Sequence, residues 1–151
     1  MSTRKTAADP VRVFVSYSHH DESYCDWLKS KLQEGFNPFN FLPCPFQIWR
    51  DKENIKPGRP WREAIVEGIQ QSQILLVLVP REHSIRVALE CGMAFGANLM
   101  ILPITQETSL LAEYGLDHLQ ALAKGSDAEW GLKLEQLLLG LVGKSGLDFL
   151  F

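Results

Sequence analysis

Short apolar runs alternate along this chain with longer stretches in which apolar residues recur at helical spacing. A short apolar run is typical of a strand, whereas recurrence every three to four residues is typical of an amphipathic helix. The runs predict strands at residues 11–17, 46–49, 74–79 and 99–104. Residues 119–123 form either a weak fifth strand or a short helix. Helical spacing predicts helices within residues 22–36, 61–71, 81–98 and 127–142.

The predicted helices carry signals at their starts and on their faces. Asp21 and Ser84 stand where a side-chain oxygen can accept a hydrogen bond from a free backbone N–H of the first turn, and Asp127 lies near the start of the last helix. In the second helix, Trp61 shares one side with Ile65 and Ile69 and is expected to pack inward with them.

Strands that alternate with helices indicate an α/β fold, with a parallel sheet covered by helices on both faces. Right-handed crossovers favour a flavodoxin-like, doubly wound sheet of about five strands in the order 2-1-3-4-5. We expect a flexible arm at residues 1–10, one domain at 11–143, and a tail or a junction to a further domain at 144–151. In such sheets ligands bind at the carboxyl ends of the strands, where the strand order reverses.

Composition narrows the function classes. The formal net charge is −3, which argues against direct binding to nucleic acid. Three scattered cysteines without a CxxC pair predict reduced thiols in a cytoplasmic protein. No apolar run is long enough for a membrane helix, and zinc spacing, a P-loop and the GxGxxG fingerprint of dehydrogenases are all absent from the sequence. We therefore expect no metal, no cofactor and no membrane partner.

Candidate chemistry converges on the predicted carboxyl edge of the sheet. The first strand runs directly into the polar residues 16–22, and the charged loop 51–60 follows the second strand at the same edge. Glu90 lies in the helix after the third strand and is followed by small residues, among them Gly92, Ala94 and Gly96. A face of Gly and Ala is expected to let this helix pack close to the sheet or let a ligand approach.

Four motifs in order give the chain a resemblance to the TIR (Toll/interleukin-1 receptor) domain, over about residues 11–104 and more loosely to 142. They are "VFVSYSHHDE", "IWRDKENIKPG", "WREAIVEGIQQSQILLVLVP" and "ALECGMAFGANLMILPI". Within them stand the Ser-Tyr at the end of the first strand, Trp-x-Asp before a Pro-Gly turn, and Ser72 before a Val/Leu-rich strand.

The resemblance implies a function and a set of site residues. Enzymatic TIR domains cleave the nicotinamide–ribose bond of NAD⁺ with a glutamate on the third helix, and the matching position is Glu90. NAD⁺ is then a substrate, and the product is ADP-ribose or a cyclic form. The resemblance also implies assembly with other TIR domains and a sensor or oligomerisation domain outside this chain, typical of a bacterial defence effector. The implied substrate contacts are Ser16, Tyr17, Ser18, Asp51 and Arg86, and the implied assembly loop contains Lys52, Ile55, Pro57 and Gly58.

One position departs from the family, and other interpretations stay open. Arg86 stands where many catalytic relatives have Trp. Glu90 can instead pair with Arg86 on the helix surface, and Asp51 can simply cap its turn. The alternative functions are a TIR scaffold without catalysis and a nucleoside glycosidase similar to the deoxyribosyltransferases, which also carry Glu-x-Gly.

Overall fold

A computed structural model describes residues 9–35, 46–50, 58 and 60–144 of the chain. Five parallel strands form its sheet, in the order β2-β1-β3-β4-β5. They are β1 (Val11–Ser16), β2 (Phe46–Trp49), β3 (Ile74–Leu78), β4 (Met100–Thr105) and β5 (Leu122–Ala123). The predicted order is confirmed, and the stretch with two interpretations contains a short strand. The order reverses between β1 and β3, where a ligand crevice is expected.

Helices cover both faces of the sheet, as predicted. They are α1 (Glu22–Glu34), α2 (Trp61–Gln71), α3 (Ile85–Gly96) and α4 (Ala128–Leu141). Two 3-10 segments, His19–Asp21 and Thr108–Tyr114, lie shortly after β1 and β4 respectively. The buried side chains of α1 and α4 pack on one face, and those of α2 and α3 pack on the other.

The core explains the apolar runs. Every residue of β3 is buried, because helices lie above and below this central strand. Alternate residues of β1 point to opposite faces of the sheet. Val13 and Val15 belong to the core on the side of α1 and α4, whereas Phe14 belongs to the core on the side of α2. The Phe14 ring also stacks on Trp49 at a centroid distance of 4.5 Å. Two layers of side chains thus fix which way each residue at the end of β1 points.

One of the two predicted helix caps is present, at Ser84, and the structure adds another at Asp127. Ser84 accepts from the backbone N–H of Val87 at 3.2 Å, and Asp127 accepts from that of Trp130 at 2.8 Å. The prediction for Asp21 is wrong, because Asp21 ends a 3-10 turn that continues into α1, and its backbone is not extended as a cap requires.

Trp61 corrects a second expectation. It is the first residue of α2, one turn ahead of the first buried position, Ala64, and 42 % of it is exposed. The helix therefore leaves this ring at the surface although its spacing matches that of the buried Ile65 and Ile69.

Among the helices that the structure describes, none has both the length and the apolar character needed to span a bilayer.

Candidate functional site

Ser16 and Tyr17 are adjacent at the end of β1 but turn to opposite sides of the sheet. Both are buried. Ser16 faces the side of α3, where its hydroxyl meets a carboxylate, and Tyr17 belongs to the core cluster on the side of α1. This divergence follows from the alternation of side chains along a strand. The two predicted substrate contacts therefore lie in different environments.

Glu90 belongs to the stripe of α3 that faces the sheet. The buried positions of this helix are Val87, Glu90, Cys91 and Ala94, which share one side at helical spacing. The carboxyl group of Glu90 is 2 % exposed, and Ser16 Oγ donates to its Oε1 at 2.6 Å. Glu90 therefore does not lie on the exposed surface of the helix, where the alternative interpretation had placed it.

Two hydrogen bonds of Ser84 fix the start of α3, the helix that carries Glu90. Ser84 caps the helix through its side chain, and its backbone N–H donates to Tyr114 Oη at 3.0 Å. Burial raises the pKa of Tyr114, so its hydroxyl remains protonated at neutral pH. The first turn is thus tied to the 3-10 segment after β4, and the second turn carries Glu90 to the end of β1.

The small residues after Glu90 do not form one face. Ala94 is buried against the sheet, as expected, whereas Gly92 and Gly96 are exposed and a Cβ at either position would meet open space. The expectation that the glycines bring α3 close to the sheet is wrong, because the helical turn directs them away from it. Cys91 is buried, and burial, with a smaller contribution from Glu90, raises the pKa of its thiol to about 12.

Tyr17 joins a cluster built around a buried cation. Arg50 directly follows β2 and is 1 % exposed; it donates through Nη2 to Tyr17 Oη at 2.7 Å and through Nη1 to Asp26 of α1. The guanidinium also lies 4.8 Å from the centroid of the Tyr17 ring. Burial is the largest single influence and opposes the charge, but the hydrogen bonds to Asp26 and Tyr17 and the nearby Cys25 together outweigh it, and the pKa of Arg50 is raised. Arg50 was not singled out from the sequence as a buried or functional residue.

The remaining predicted residues are spread around this edge. Ser18 is buried beside the 3-10 turn, and Arg86 is exposed on α3. Gly58 is exposed and has a φ of +82°, which suits glycine at the predicted Pro-Gly turn. Asp51, Lys52, Ile55 and Pro57 lie outside the described residues.

A cavity of about 280 Å³ opens at the carboxyl ends of β1, β3 and β4. Of the predicted substrate contacts that the structure describes, only Ser18 lines it; Ser16, Tyr17, Glu90 and Arg86 do not. Its other polar walls come from the segment after β1, the loop after β3 and the residues that follow β4 and β5. These are His20, Asp21, Tyr24, Arg81, Glu82, Gln106 and Lys124.

Sequence reasoning missed most of this lining, although a signal was present. Gln106 comes directly after β4 and Lys124 directly after β5, so both stand at the carboxyl edge that binds ligands in such sheets. The sequence interpretation applied this rule to the first three strands and not to the last two. In the described part of the chain, no group of three or more His, Cys, Asp or Glu side chains is arranged to hold a metal ion.

Comparisons with known proteins agree with this architecture. A family model of the TIR domain matches residues 13–138. The TIR domains in the structure of the activated Roq1 resistosome, which recognises the pathogen effector XopQ, align with a TM-score of 0.53 and 13 % identity, over 88 % of this chain and 74 % of that one. A CMP N-glycosidase of Clostridium botulinum, BcmB, aligns with a TM-score of 0.55 and 13 % identity, over 82 % of this chain and 98 % of that one. At this identity, both likenesses show the fold alone. No curated protein matches the chain in sequence.

Proposed function

The chain belongs to the TIR domain family, and from this premise we propose that it is an N-glycosidase that cleaves the nicotinamide–ribose bond of NAD⁺, with Glu90 as its catalytic carboxylate. The observation that supports the proposal is the hydrogen bond of 2.6 Å from Ser16 Oγ to Glu90 Oε1. It holds an acidic group at the end of β1, beside the point where the strand order reverses.

A single carboxylate suits this reaction. The bond between C1′ of the ribose and the ring nitrogen breaks with its electron pair on nicotinamide, which leaves as a neutral molecule. Positive charge then develops on the ribose, and a nearby anion stabilises it. Water adds to C1′ and releases a proton, which gives ADP-ribose; attack by a group of the substrate itself gives a cyclic product instead.

Ser16 acts in this proposal as a positioning residue. Its side chain is fully buried, and its hydroxyl donates to the carboxylate and limits the rotation of that group. Cys91, next to Glu90, is unsuited to attack the ribose, because burial raises the pKa of its thiol to about 12 and leaves it protonated at neutral pH. The nucleophilic and stabilising roles on this face therefore fall to Glu90 and to water.

The burial of Glu90 sets a condition on the proposal. A carboxyl group that is 2 % exposed cannot meet the ribose until the side chains that cover it move apart. We propose that assembly with other TIR domains, through the loop that contains Lys52, Ile55, Pro57 and Gly58, opens this site. The isolated chain is then the closed form, and a cytoplasmic partner that clusters it, as in a bacterial defence system, is the activator.

The direct test is nicotinamide release from NAD⁺, measured by chromatography for the protein in dilute solution and for His-tagged protein clustered on nickel-chelating vesicles. We expect turnover only on the vesicles. Glu90→Gln keeps the acceptor for Ser16 but removes the charge, so it should lower kcat/KM by about a hundredfold or more. Glu129→Gln, at an exposed position in the first turn of α4, is the matched control and should keep full activity.

A second candidate is an N-glycosidase that acts on a nucleoside monophosphate. It is favoured by the likeness to the CMP N-glycosidase, which extends over 98 % of that chain. The same assay with CMP distinguishes the two, because cytosine then appears and NAD⁺ stays intact. If neither substrate is consumed at any surface density, both proposals fail and the function that remains is a TIR scaffold without catalysis.

A further inference from the structure

The cavity at the carboxyl edge is separate from the pair of Ser16 and Glu90, since neither residue lines it. It lies outside the ends of β1, β3 and β4, in the crevice where the strand order reverses. Its volume of about 280 Å³ is at the small end of the range for ligand sites. It is therefore sized for one heterocycle or a nucleoside, and too small for a dinucleotide.

An ammonium group and a carboxylate lie near each other in this cavity, but they are not within hydrogen-bond distance. Lys124 Nζ is 4.0 Å from Asp21 Oδ1, beyond hydrogen-bond distance, and both side chains are about three-quarters buried. The ammonium group lies 4.3 Å from the centroid of the Tyr24 ring. This ring is fixed in turn, because Tyr24 Oη donates to the carbonyl of Gly125 at 2.6 Å.

Apolar residues form another wall of the cavity. Leu78, Val79 and Pro80 come from the end of β3 and the residues after it, and Ile104 comes from β4. Leu78, Val79 and Ile104 are themselves buried, so this wall belongs to the packed core. Such a wall offers dispersion contacts to a flat ring but no hydrogen bonds.

The charges of the cavity balance. Among its Asp, Glu, Lys and Arg side chains, Asp21 and Glu82 oppose Arg81 and Lys124. At the rim, Arg81 donates to Gln106 and lies 3.4 Å from Glu107, and His20 lies 3.4 Å from Glu82. The outer charges thus have partners already, which argues against a phosphate group as the main feature recognised.

We propose that this cavity binds a planar heterocycle whose edge carries a hydrogen-bond donor beside an acceptor. The amino group of the ligand donates to the Asp21 carboxylate, its carbonyl or ring nitrogen accepts from Lys124, and its ring lies against the wall of Leu78, Val79 and Ile104. A pyridine carboxamide such as nicotinamide and a nucleobase such as cytosine share this edge. The inference does not require Glu90 to be catalytic, and it adds a second site to the domain.

The test is a titration of the ¹⁵N-labelled full chain with nicotinamide and, separately, with cytidine, followed by amide chemical shifts. Saturable shifts are expected around residues 18–24, 78–82, 104–106 and 124. If both ligands bind, the donor–acceptor edge that they share is sufficient for recognition. If only one binds, the result shows whether the cavity recognises a pyridine carboxamide or a nucleobase. Nicotinate, which replaces the amide by a carboxylate facing Asp21, should bind about tenfold more weakly than nicotinamide or worse.

Variants separate this cavity from the Glu90 site. Lys124→Met and Asp21→Asn should each weaken binding about tenfold or more, because each removes a charge-assisted hydrogen bond. Glu129→Gln, at an exposed position that does not line the cavity, should leave the affinity unchanged. If Lys124→Met fails to fold, the affinity measured for Asp21→Asn tests the proposal. The proposal is overturned if neither ligand gives saturable shifts, if the shifts map elsewhere, or if Glu90→Gln abolishes binding while the two cavity variants do not.

Discussion

The two sides of the end of β1 bury charge in different ways. On the α1 side, the Arg50 cation meets the carboxylate of Asp26, the hydroxyl of Tyr17 and the face of its ring. On the α3 side, the Glu90 carboxyl group accepts a hydrogen bond from the neutral hydroxyl of Ser16. A cation beside a carboxylate is suited to hold two strands and a helix together. A carboxyl group that accepts from a hydroxyl is suited to be held in one orientation towards a substrate.

The largest effect is expected on the Arg50 side. Arg50→Met removes the buried cation and its hydrogen bonds to Tyr17 and Asp26, and should lower the free energy of unfolding by about 3 kcal/mol. The control is Asp26→Asn. Because the Asp26 side chain is 56 % exposed, this change should cost less than Arg50→Met. Urea denaturation followed by circular dichroism measures both, and equal losses would contradict a cluster centred on the cation.

On the α3 side, a smaller and more specific effect is expected. A double-mutant cycle of Ser16→Ala and Glu90→Met should give a coupling free energy of about 1 to 2 kcal/mol, because Met offers no acceptor to the Ser16 hydroxyl and the cycle isolates this hydrogen bond. The same denaturation measurement yields all four values. Additive losses, with no coupling, would mean that Ser16 does not position Glu90 in solution.

Alkaline pH gives the smallest effect. The raised pKa of Cys91 means that folding keeps the thiol protonated, while the unfolded chain ionises it above about pH 9. The associated stability is therefore present below pH 9 and is lost as the pH rises towards about 12. Between pH 8 and pH 10, wild type should lose about 1 kcal/mol more than Cys91→Ala.

Tyr24 and Tyr114, whose pKa values are also raised, are present in both proteins of this comparison and cancel. Thermal unfolding of the two proteins at matched ionic strength measures the difference. Parallel pH profiles would show that the thiol near Glu90 ionises as readily in the folded chain as in the unfolded one.

Much of the fold was accessible from local patterns. The wholly apolar stretch of β3 indicates a strand covered on both faces, and its alternation with helices leads to the observed strand order. The cap at Ser84 was predicted correctly because a cap depends on a few adjacent residues. The predicted cap at Asp21 was wrong, because a 3-10 turn before α1 changes the backbone conformation at this residue.

The site was less accessible, because it depends on which side chains meet across the sheet. The resemblance to the family indicated Glu90 and the strand end at Ser16, and the structure brings these two together. The direction of Tyr17, the burial of Arg50 and the outward turn of Gly92 were not predicted. Each depends on partners in other elements, which periodicity along one element does not identify.

The sequence alone determined the element types, the parallel sheet and its strand order, because hydrophobic periodicity and the handedness of crossovers act through neighbouring residues. Only the tertiary structure decided that Ser16 and Tyr17 part to opposite faces, that Arg50 is enclosed, and that Asp21 and Lys124 face each other across 4.0 Å. The physical reason is that burial and charge pairing are properties of side chains from distant segments, and these become neighbours only when the sheet and its helices pack.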